Sequence, residues 1–348
     1  MVTDRQRQIA EAVAQHGSHR RAAEALGVGH STVDKAMARI RKDDPAWAER
    51  SESRIDRGDF TAPAPPKHLG ETPAERWARR RQRFQNAKAA TDAREWMQFR
   101  LKRVEPCAVL WFGDPHLDDD GCDFDALEAA IRIGNLPGVY SVGIGDYTNN
   151  WVGRLARLYA HQEGTAATAW ADARYFIRDR GLQWLTLIKG NHDLWAGAGD
   201  PIDYIAEGTA DVATWRARFT LAWSNGAELR IDAAHDFKGH SQYSASFGPK
   251  KEAYFDGRAQ IYVCGHKHSA SLDRFNHPFR GTKHEAFRVA GFKRMDQHAL
   301  VNGFSDATHG EAMLTVIDPR TVYLDGAPKF RTFDCVEDGA AYLQSLQA

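Results

Sequence analysis

Sulfur is scarce in this 348-residue chain: four cysteines, Cys107, Cys122, Cys264 and Cys335, lie far apart and no two form a CxxC pair. No CxxC pair thus suggests a thiolate zinc site or a redox dithiol, and the usage suits a reducing compartment. Long apolar runs are missing too. No stretch approaches the ~18 apolar residues of a membrane-spanning helix, and the opening residues 1–8 have no signal-peptide core, so the expectation is a soluble, cytoplasmic chain with no membrane contact. There is no internal repeat, and low complexity is confined to Ala62-Pro63-Ala64-Pro65-Pro66. With 43% hydrophobic residues and 29 glycines among ordinary proportions of everything else, wholesale disorder, collagen and coiled-coil fibre are excluded.

Net charge is absent as well, 46 Lys and Arg against 46 Asp and Glu, but the balance conceals an asymmetry. Residues 1–105 carry 22 basic against 15 acidic side chains, and residues 106–348 carry 24 against 31. A basic front favours a polyanion such as nucleic acid or an acidic partner; an acidic back suits solubility or metal chemistry. In the front, Ile9, Ala10, Val13 and Ala14 share one side of a helix over residues 5–15, ended by His16-Gly17-Ser18. A second helix is predicted over residues 19–26 and a third, capped by Ser31, over 31–41. Small alanines permit close crossing, and Leu26, Val28, Val33, Met37 and Ile40 form a miniature core. The plan resembles the DNA-binding helix-turn-helix units of prokaryotic and phage proteins over residues 1–42. That resemblance implies that Thr32, Lys35, Arg39 and Arg41 face a duplex. A docking module without nucleic acid is the alternative, and an excess of 8 basic over 4 acidic residues is small for a DNA binder.

Residues 43–71, rich in charge, Ser, Pro and Gly, read as a linker. Thr72-Pro73-Ala74-Glu75 has the spacing of a capping box with proline in the first turn, and starts a basic connecting helix predicted over 72–105. It sets Arg76, Arg79, Arg80, Arg81 and Arg83 against Trp77, Phe84, Trp96 and Phe99, either as a solvated face or as a guide for nucleic acid. From Pro106 short apolar runs alternate with loops and helices, the pattern of an α/β layered domain over 106–348. Strands are predicted at 107–112, 139–144, 183–188, 228–234, 260–264, 287–290 and 313–317.

Five polar strings each follow one of these strands: Gly113-Asp114-Pro115-His116, Gly145-Asp146-Tyr147-Thr148-Asn149, Gly190-Asn191-His192-Asp193, His235, and Gly265-His266-Lys267-His268. Carboxylate, imidazole and amide donors in this ratio, without sulfur, suit Mn²⁺, Fe or Zn²⁺. The glycines let a strand turn sharply and present the next side chain, since they tolerate unusual backbone angles.

The ordered set resembles the calcineurin-like metallophosphoesterase superfamily over residues 106–334, whose pattern is Asp-x-His, Gly-Asp-x-x-Asp/Asn, Gly-Asn-His-Asp/Glu, a single His, then Gly-His-x-His. The resemblance implies a four-layer α/β/β/α sandwich with two divalent metal ions, manganese first among the candidates, at the carboxyl ends of the strands. It implies that Asp114, His116 and His268 hold one metal, that Asn191, His235 and His266 hold the other, and that Asp146 bridges them. His192 then matches the histidine that works on the substrate without binding metal. The single histidine has two candidates, His235, into which a strand runs directly, and His240. Asn149 stands where some protein phosphatases of the family have an aspartate that orients the catalytic histidine. Asp193 is the possible substitute, and the arginine that follows in those phosphatases is replaced by Asn150 and Trp151.

Hydrolysis of an anionic ester needs positive charge on the phosphoryl oxygens and a nucleophile at neutral pH, and two metals about 3.5–4 Å apart supply both through a bridging hydroxide. His192 then assists the leaving oxygen. The function expected is phosphate mono- or diester hydrolysis, with nucleic acid or nucleotide as substrate. The alternatives are a phosphoprotein phosphatase and a DNA-binding adaptor with an inactive fold. Asp118-Asp119-Asp120-Gly121-Cys122-Asp123 lacks the register of a calcium loop and reads as solvated. Arg280, Lys283 and His284 are candidates for phosphate contact or plain surface charge, and Trp151 and Trp195 for base stacking or core.

Overall fold

The structure is a computed structural model that describes residues 2–45, 54–56, 61–63, 71–93, 95–151, 163–195, 200–294 and 310–348. The chain divides into two compact units, Met1–Asn86 and Ala87–Ala348.

In the first unit, helices α1 (Asp4–His16), α2 (His19–Leu26) and α3 (His30–Asp43) enclose Ile9, Val13, Ala22, Ala23, Val33, Met37 and Ile40, with Leu26 and Val28 half-buried against them. Thr3 caps α1 with Gln6 closing the box, and Ser18 caps α2. Gly17 and Gly27 end these helices in the left-handed region, at φ 68° and 63°, where a glycine costs least. Ser31 does not cap α3. Its cap is Gly29, with no side-chain bond, so Ser31 lies inside the first turn. Of the predicted linker, β1 (Arg54–Asp56) and β2 (Thr61–Pro63) pair antiparallel, and its other residues from 46 to 70 lie outside those described. Thr72 caps α4 (Pro73–Ala93) through the expected box with Glu75. The helix stops at Ala93 rather than continuing to 105. Trp96 lies in a turn and Phe99 on β3 (Met97–Leu101), so the α/β unit begins before Pro106.

The second unit continues with β4 (Cys107–Phe112), α5 (Phe124–Gly134), β5 (Val139–Gly143), α6 (Ala166–Arg174), β6 (Trp184–Lys189), α7 (Pro201–Ala206) and β7 (Asp211–Thr214). Then come β8 (Arg216–Trp223), β9 (Glu228–Ala234), α8 (Phe247–Phe255), β10 (Ile261–Cys264), β11 (Ser271–Asn276), β12 (Lys283–Arg288), β13 (Ala312–Val322), β14 (Pro328–Phe333) and α9 (Val336–Gln347). One six-stranded sheet has the order β14-β13-β4-β5-β6-β7, with β4 to β7 parallel; the other has β11-β12-β10-β9-β8-β3, with β9, β10 and β12 parallel. The chain passes from the first sheet to the second through one residue, Trp215, between β7 and β8.

Strand β4 shows why two sheets form. All six of its residues are buried, and their period-two alternation serves two cores. Cys107, Val109 and Trp111 pack between the sheets with Phe219, Ile231, Val263 and Phe287, the Trp111 and Phe287 rings meeting edge-on at 5.8 Å. The indole N–H of Trp111 is satisfied by Thr315 Oγ1 at 2.9 Å. Ala108, Leu110 and Phe112 face the other way, toward Leu127 and Ile131 of α5, Ala173 of α6 and Leu343 of α9. On the outer face of the second sheet, Ala253 of α8 packs with Phe237 and Tyr262. The order is therefore helices, sheet, sheet, helix, as the four-layer expectation required. At one edge Arg274 of β11 donates to Glu285 at 2.9 Å and to the carbonyl of Thr332, while Glu285 accepts the Thr332 N–H at 2.9 Å. These bonds stitch the edge strand β14 to the opposite sheet. Among the described residues no helix is long and apolar enough to cross a membrane.

Candidate metal centre

The carboxyl ends of β4, β5, β6, β9 and β10 carry the polar strings to one place. His235 follows β9 directly, and its Nε2 lies 3.1 Å from Asn191 Oδ1, 3.0 Å from His266 Nδ1 and 3.3 Å from Asp146 Oδ2. Donor atoms on adjacent positions of a cation with bonds near 2.1 Å lie about 3.0–3.4 Å apart, so the spacing is that of a shared coordination sphere. Asp146, His235 and His266 form one compact group. Beside it, His116 Nε2 and His268 Nε2 are 3.3 Å apart, with Asp114 Oδ2 3.9 Å from the latter. Asp114 Oδ2 also accepts the His266 N–H at 2.6 Å, which joins the two groups. Asp114 Oδ1 and His116 Nδ1 are buried without a hydrogen-bond partner among the described residues. The orphaned Asp114 oxygen, 3.5 Å from His235 Nδ1, is the atom of this set that a cation would satisfy.

Backbone angles follow the same residues. Among described non-glycine residues, positive φ occurs at His116 (44°), Asp146 (53°), Asn150 (38°), Trp215 (69°), His266 (72°) and His268 (48°). Each such residue is strained, and strain of this kind persists where the surroundings impose it. The unusual angles expected of the glycines thus fall mainly on the donors. Gly145 alone among the motif glycines has one, at φ 109°; the others are glycine because of crowding. A Cβ on Gly190 would strike Asp146 Oδ1 and come within 2.6 Å of His235 Cε1, one on Gly113 would strike the carbonyl of Ala290, and one on Gly265 would lie 3.0 Å from Asp114 Oδ2.

His192 is held differently from the expectation. Its Nδ1 donates to the main-chain carbonyl of Asn149, and the Asn149 amide is engaged elsewhere, donating to Asp119 Oδ2 at 2.7 Å. A carbonyl fixes the ring tautomer and leaves Nε2 as the exchangeable position. Asp193 does not orient His192 either. Its fully buried carboxylate accepts three main-chain N–H groups, from Asp146 (2.8 Å), Tyr147 (2.9 Å) and Gly190 (2.7 Å), and so ties the β5 loop to the β6 loop. The His192 N–H in turn donates to Asp146 Oδ1 at 2.9 Å. The acidic loop is solvated only in part: Asp120 is exposed, but Asp118 is buried and accepts the Asn149 N–H at 2.7 Å, and Asp119 also meets Lys293 at 2.8 Å.

Burial and charge set the protonation of the metal-free centre. Burial pushes Asp114 up to about 8 and Asp193 to about 7. His235 is also disfavoured as a cation by burial, but Asp146 and Asp114 outweigh this and raise it to about 10, while Asp146 itself is lowered. Burial holds His116 well below its ordinary value and His268 down to about 4. The mutual attraction favours the imidazolium of His235 beside the carboxylate of Asp146, and His235 Nδ1 lies 2.9 Å from the Ile144 carbonyl, to which its N–H donates.

Other sequence candidates fall outside. His240 is exposed, whereas His235 is buried among the donors. Arg280 is exposed and Lys283 half-buried, but His284 is buried, stacked on Phe275 and Tyr262, and is not available to a phosphate. Trp151 packs edge-on against His192 at 5.7 Å with Lys293 over its ring, and Trp195 packs against Trp170. In the other unit Thr32, Lys35, Arg39 and Arg41 are exposed on α3 or at its end. Sequence reasoning missed Arg288, fully buried, which donates to the carbonyls of Ala245 (2.8 Å) and Gly265 and to Asp236 (2.8 Å) and so braces the His266 loop. It missed Trp215 too, whose ring meets His235 edge-on at 5.1 Å. Nothing in the local sequence marks either one.

No protein-family model matches the chain, and no curated protein sequence does. Solved structures give distant likenesses. A zinc complex of wild-type Vps29 from Entamoeba histolytica is 14% identical, covering 65% of this chain and 98% of that one at a TM-score of 0.33. A conserved uncharacterised protein of Streptococcus pneumoniae, described as a predicted phosphoesterase, is 13% identical over 66% of this chain and 100% of that one at 0.31. GAP50, described as the anchor in the inner membrane complex of Plasmodium, is 12% identical over 70% and 95% at 0.37. Likeness at this level says nothing of activity.

Proposed function

We propose that the chain is a dinuclear metal-dependent hydrolase of phosphate esters. The observation that supports it is the convergence of Asn191, Asp146 and His266 within 3.0–3.3 Å of His235 Nε2, beside the His116, His268 and Asp114 cluster. Asp114, His116 and His268 would hold one cation, and Asn191, His235 and His266 the other. Asp146, whose carboxylate acts electrostatically on His235, His116 and His268, would serve both. Bound divalent cations supply Lewis acidity toward phosphoryl oxygens and a water acidic enough to ionise near neutral pH. The oxygen and nitrogen donors favour Mn²⁺, with Fe or Zn²⁺ as alternatives.

The chain's own groups complete the chemistry. His192, fixed through Nδ1 on the Asn149 carbonyl, keeps Nε2 free to deliver a proton to the leaving oxygen. Asp193 and Arg288 hold the loops in register. The nucleic acid or nucleotide reading rests on the first unit, a three-helix module of helix-turn-helix plan that exposes Thr32, Lys35, Arg39 and Arg41, followed by the exposed arginines of α4. A duplex contact there draws affinity from phosphates and weakens with salt.

The test uses the full chain purified with Mn²⁺, Fe²⁺ or Zn²⁺. Elemental analysis is expected to find about two metals per chain, and aryl phosphate or bis-aryl phosphate turnover should depend on them. Metal-free protein from all three preparations, or no turnover of either ester, defeats the hydrolase reading and favours an adaptor. Cleavage of phosphoserine peptides without cleavage of single- or double-stranded DNA, together with no salt-sensitive gel shift, defeats the nucleic acid reading alone.

A further inference from the structure

Trp215 occupies the single residue between β7 of one sheet and β8 of the other. Both of its main-chain polar groups are committed: its N–H donates to the carbonyl of Lys189 at 3.2 Å, and its carbonyl accepts the N–H of His235 at 2.8 Å. Lys189 is itself buried and pinned by Asp200 and Asp203 at the start of α7. This bracing forces φ to 69°. The sheet switch thus demands a left-handed residue, for which glycine or asparagine is the low-strain choice. The chain instead carries its bulkiest side chain there and leaves it 42% exposed. Core packing does not account for an indole so placed. Its buried part lies against two metal-centre candidates, edge-on to His235 at 5.1 Å and 6.3 Å from His266, so its open part stands at the rim of the centre. The other two tryptophans near the motifs are occupied, Trp151 buried against His192 and Trp195 against Trp170.

We infer that Trp215 is a stacking platform that selects esters whose phosphate carries a flat aromatic ring, a nucleobase or an aryl group. The inference rests on the phosphoesterase reading and adds to it the substrate class on the His235 and His266 side. Stacking on an exposed indole accepts any planar ring, which gives preference for a ring without reading its edge. The inorganic end of the ligand stays with the metal centre, so Trp215 acts on affinity for ring-bearing esters alone.

Binding by calorimetry tests this with the Mn²⁺-loaded full chain and three ligands that cannot be hydrolysed: the phosphonate isostere of AMP, phenylphosphonate and methylphosphonate. Trp215→Ala is expected to weaken the AMP isostere about 5- to 100-fold and to leave methylphosphonate unchanged. Trp215→Phe should keep most of the affinity. Trp215→Gly relieves the backbone strain, so it guards against misfolding and should weaken the ring-bearing ligand as Ala does. Loss confined to the AMP isostere assigns the ring to a nucleobase; loss of phenylphosphonate as well assigns it to any flat ring. Equal effects on methylphosphonate and the AMP isostere, or no effect on either, overturn the inference alone. If the wild-type chain binds none of the three ligands, the phosphoesterase reading falls with it.

Discussion

His192 and Asp193 are adjacent, yet the proposed mechanism draws on the first and the second holds the scaffold. With Nδ1 on a main-chain carbonyl, His192 is outside both donor clusters, so His192→Ala should lower turnover about 10²- to 10⁴-fold while elemental analysis still finds the metals. Asp193→Asn replaces one of two acceptor oxygens by a donor opposite main-chain N–H groups. It is expected to cost about 1–3 kcal/mol in denaturant unfolding and to weaken metal retention, because the Asp146 and Gly190 N–H groups lose their tie. Gly190→Ala is the sharper probe of geometry: its methyl must displace Asp146 or His235, so a folded protein that has lost its metal is the expected result, and wild-type metal content would contradict the close packing. The residues that meet at the centre could be read in the sequence because each follows an apolar strand, and strand ends in such sheets point to one edge. Main-chain partners could not. Nothing in Gly-Asn-His-Asp tells that its aspartate will bind three amides, or that Asn149 will offer its carbonyl to His192 and its amide to Asp119.

The central strands β4, β5, β6 and β10 were legible because burial on both faces writes a nearly continuous apolar run, whereas β9 alternates exposed Glu228 and Arg230 with buried Leu229 and Ile231. Strands β3, β7, β8, β11 and β14 were not. Ser271–Asn276 has no fully buried position, with charged Asp273 and Arg274 in its middle, and Met97–Leu101 follows so closely on an arginine-rich helix that the helical pattern runs on through it. Their state is decided by pairing, β11 with β12 and β3 with β8, which the sequence does not display. The edge strand β14 depends on the cross-sheet stitch, and Glu285 is its centre. Glu285→Leu removes the acceptor for both Arg274 and the Thr332 N–H, and should lower unfolding free energy by about 1–3 kcal/mol. The conservative Glu285→Gln, which keeps one acceptor, should cost less. Equal stability of the Leu variant and the parent in guanidinium unfolding would show that β14 needs no stitch.

At the scale of the whole chain, two units with separate cores should unfold in two transitions, and only the one belonging to Ala87–Ala348 should respond to metal. Its response should depend on pH in a direction set by the protons that the cations displace. In the metal-free protein His235 is raised to about 10 and Asp114 to about 8, above their unfolded values near 6.5 and 3.9. A group raised in this way contributes stability that is fully present below its unfolded pKa and lost as pH climbs through its folded one. His268, lowered to about 4, works in the opposite sense, but only between about pH 4 and 6.5, where the unfolded chain takes up a proton that the folded one refuses. Above pH 6.5 the raised groups alone remain, so chelator-treated protein should lose stability from pH 6.5 to 8. Over the same interval Mn²⁺ meets less competition from protons and binds more tightly. Saturation at 100 times the dissociation constant is worth about 2.7 kcal/mol, a gap that calorimetry resolves. The separation between Mn²⁺-loaded and chelated melting temperatures should therefore widen from pH 6.5 to 8. A separation that stays constant or narrows would mean that His235 and Asp114 give up no protons to the metal, and that the cation sits elsewhere.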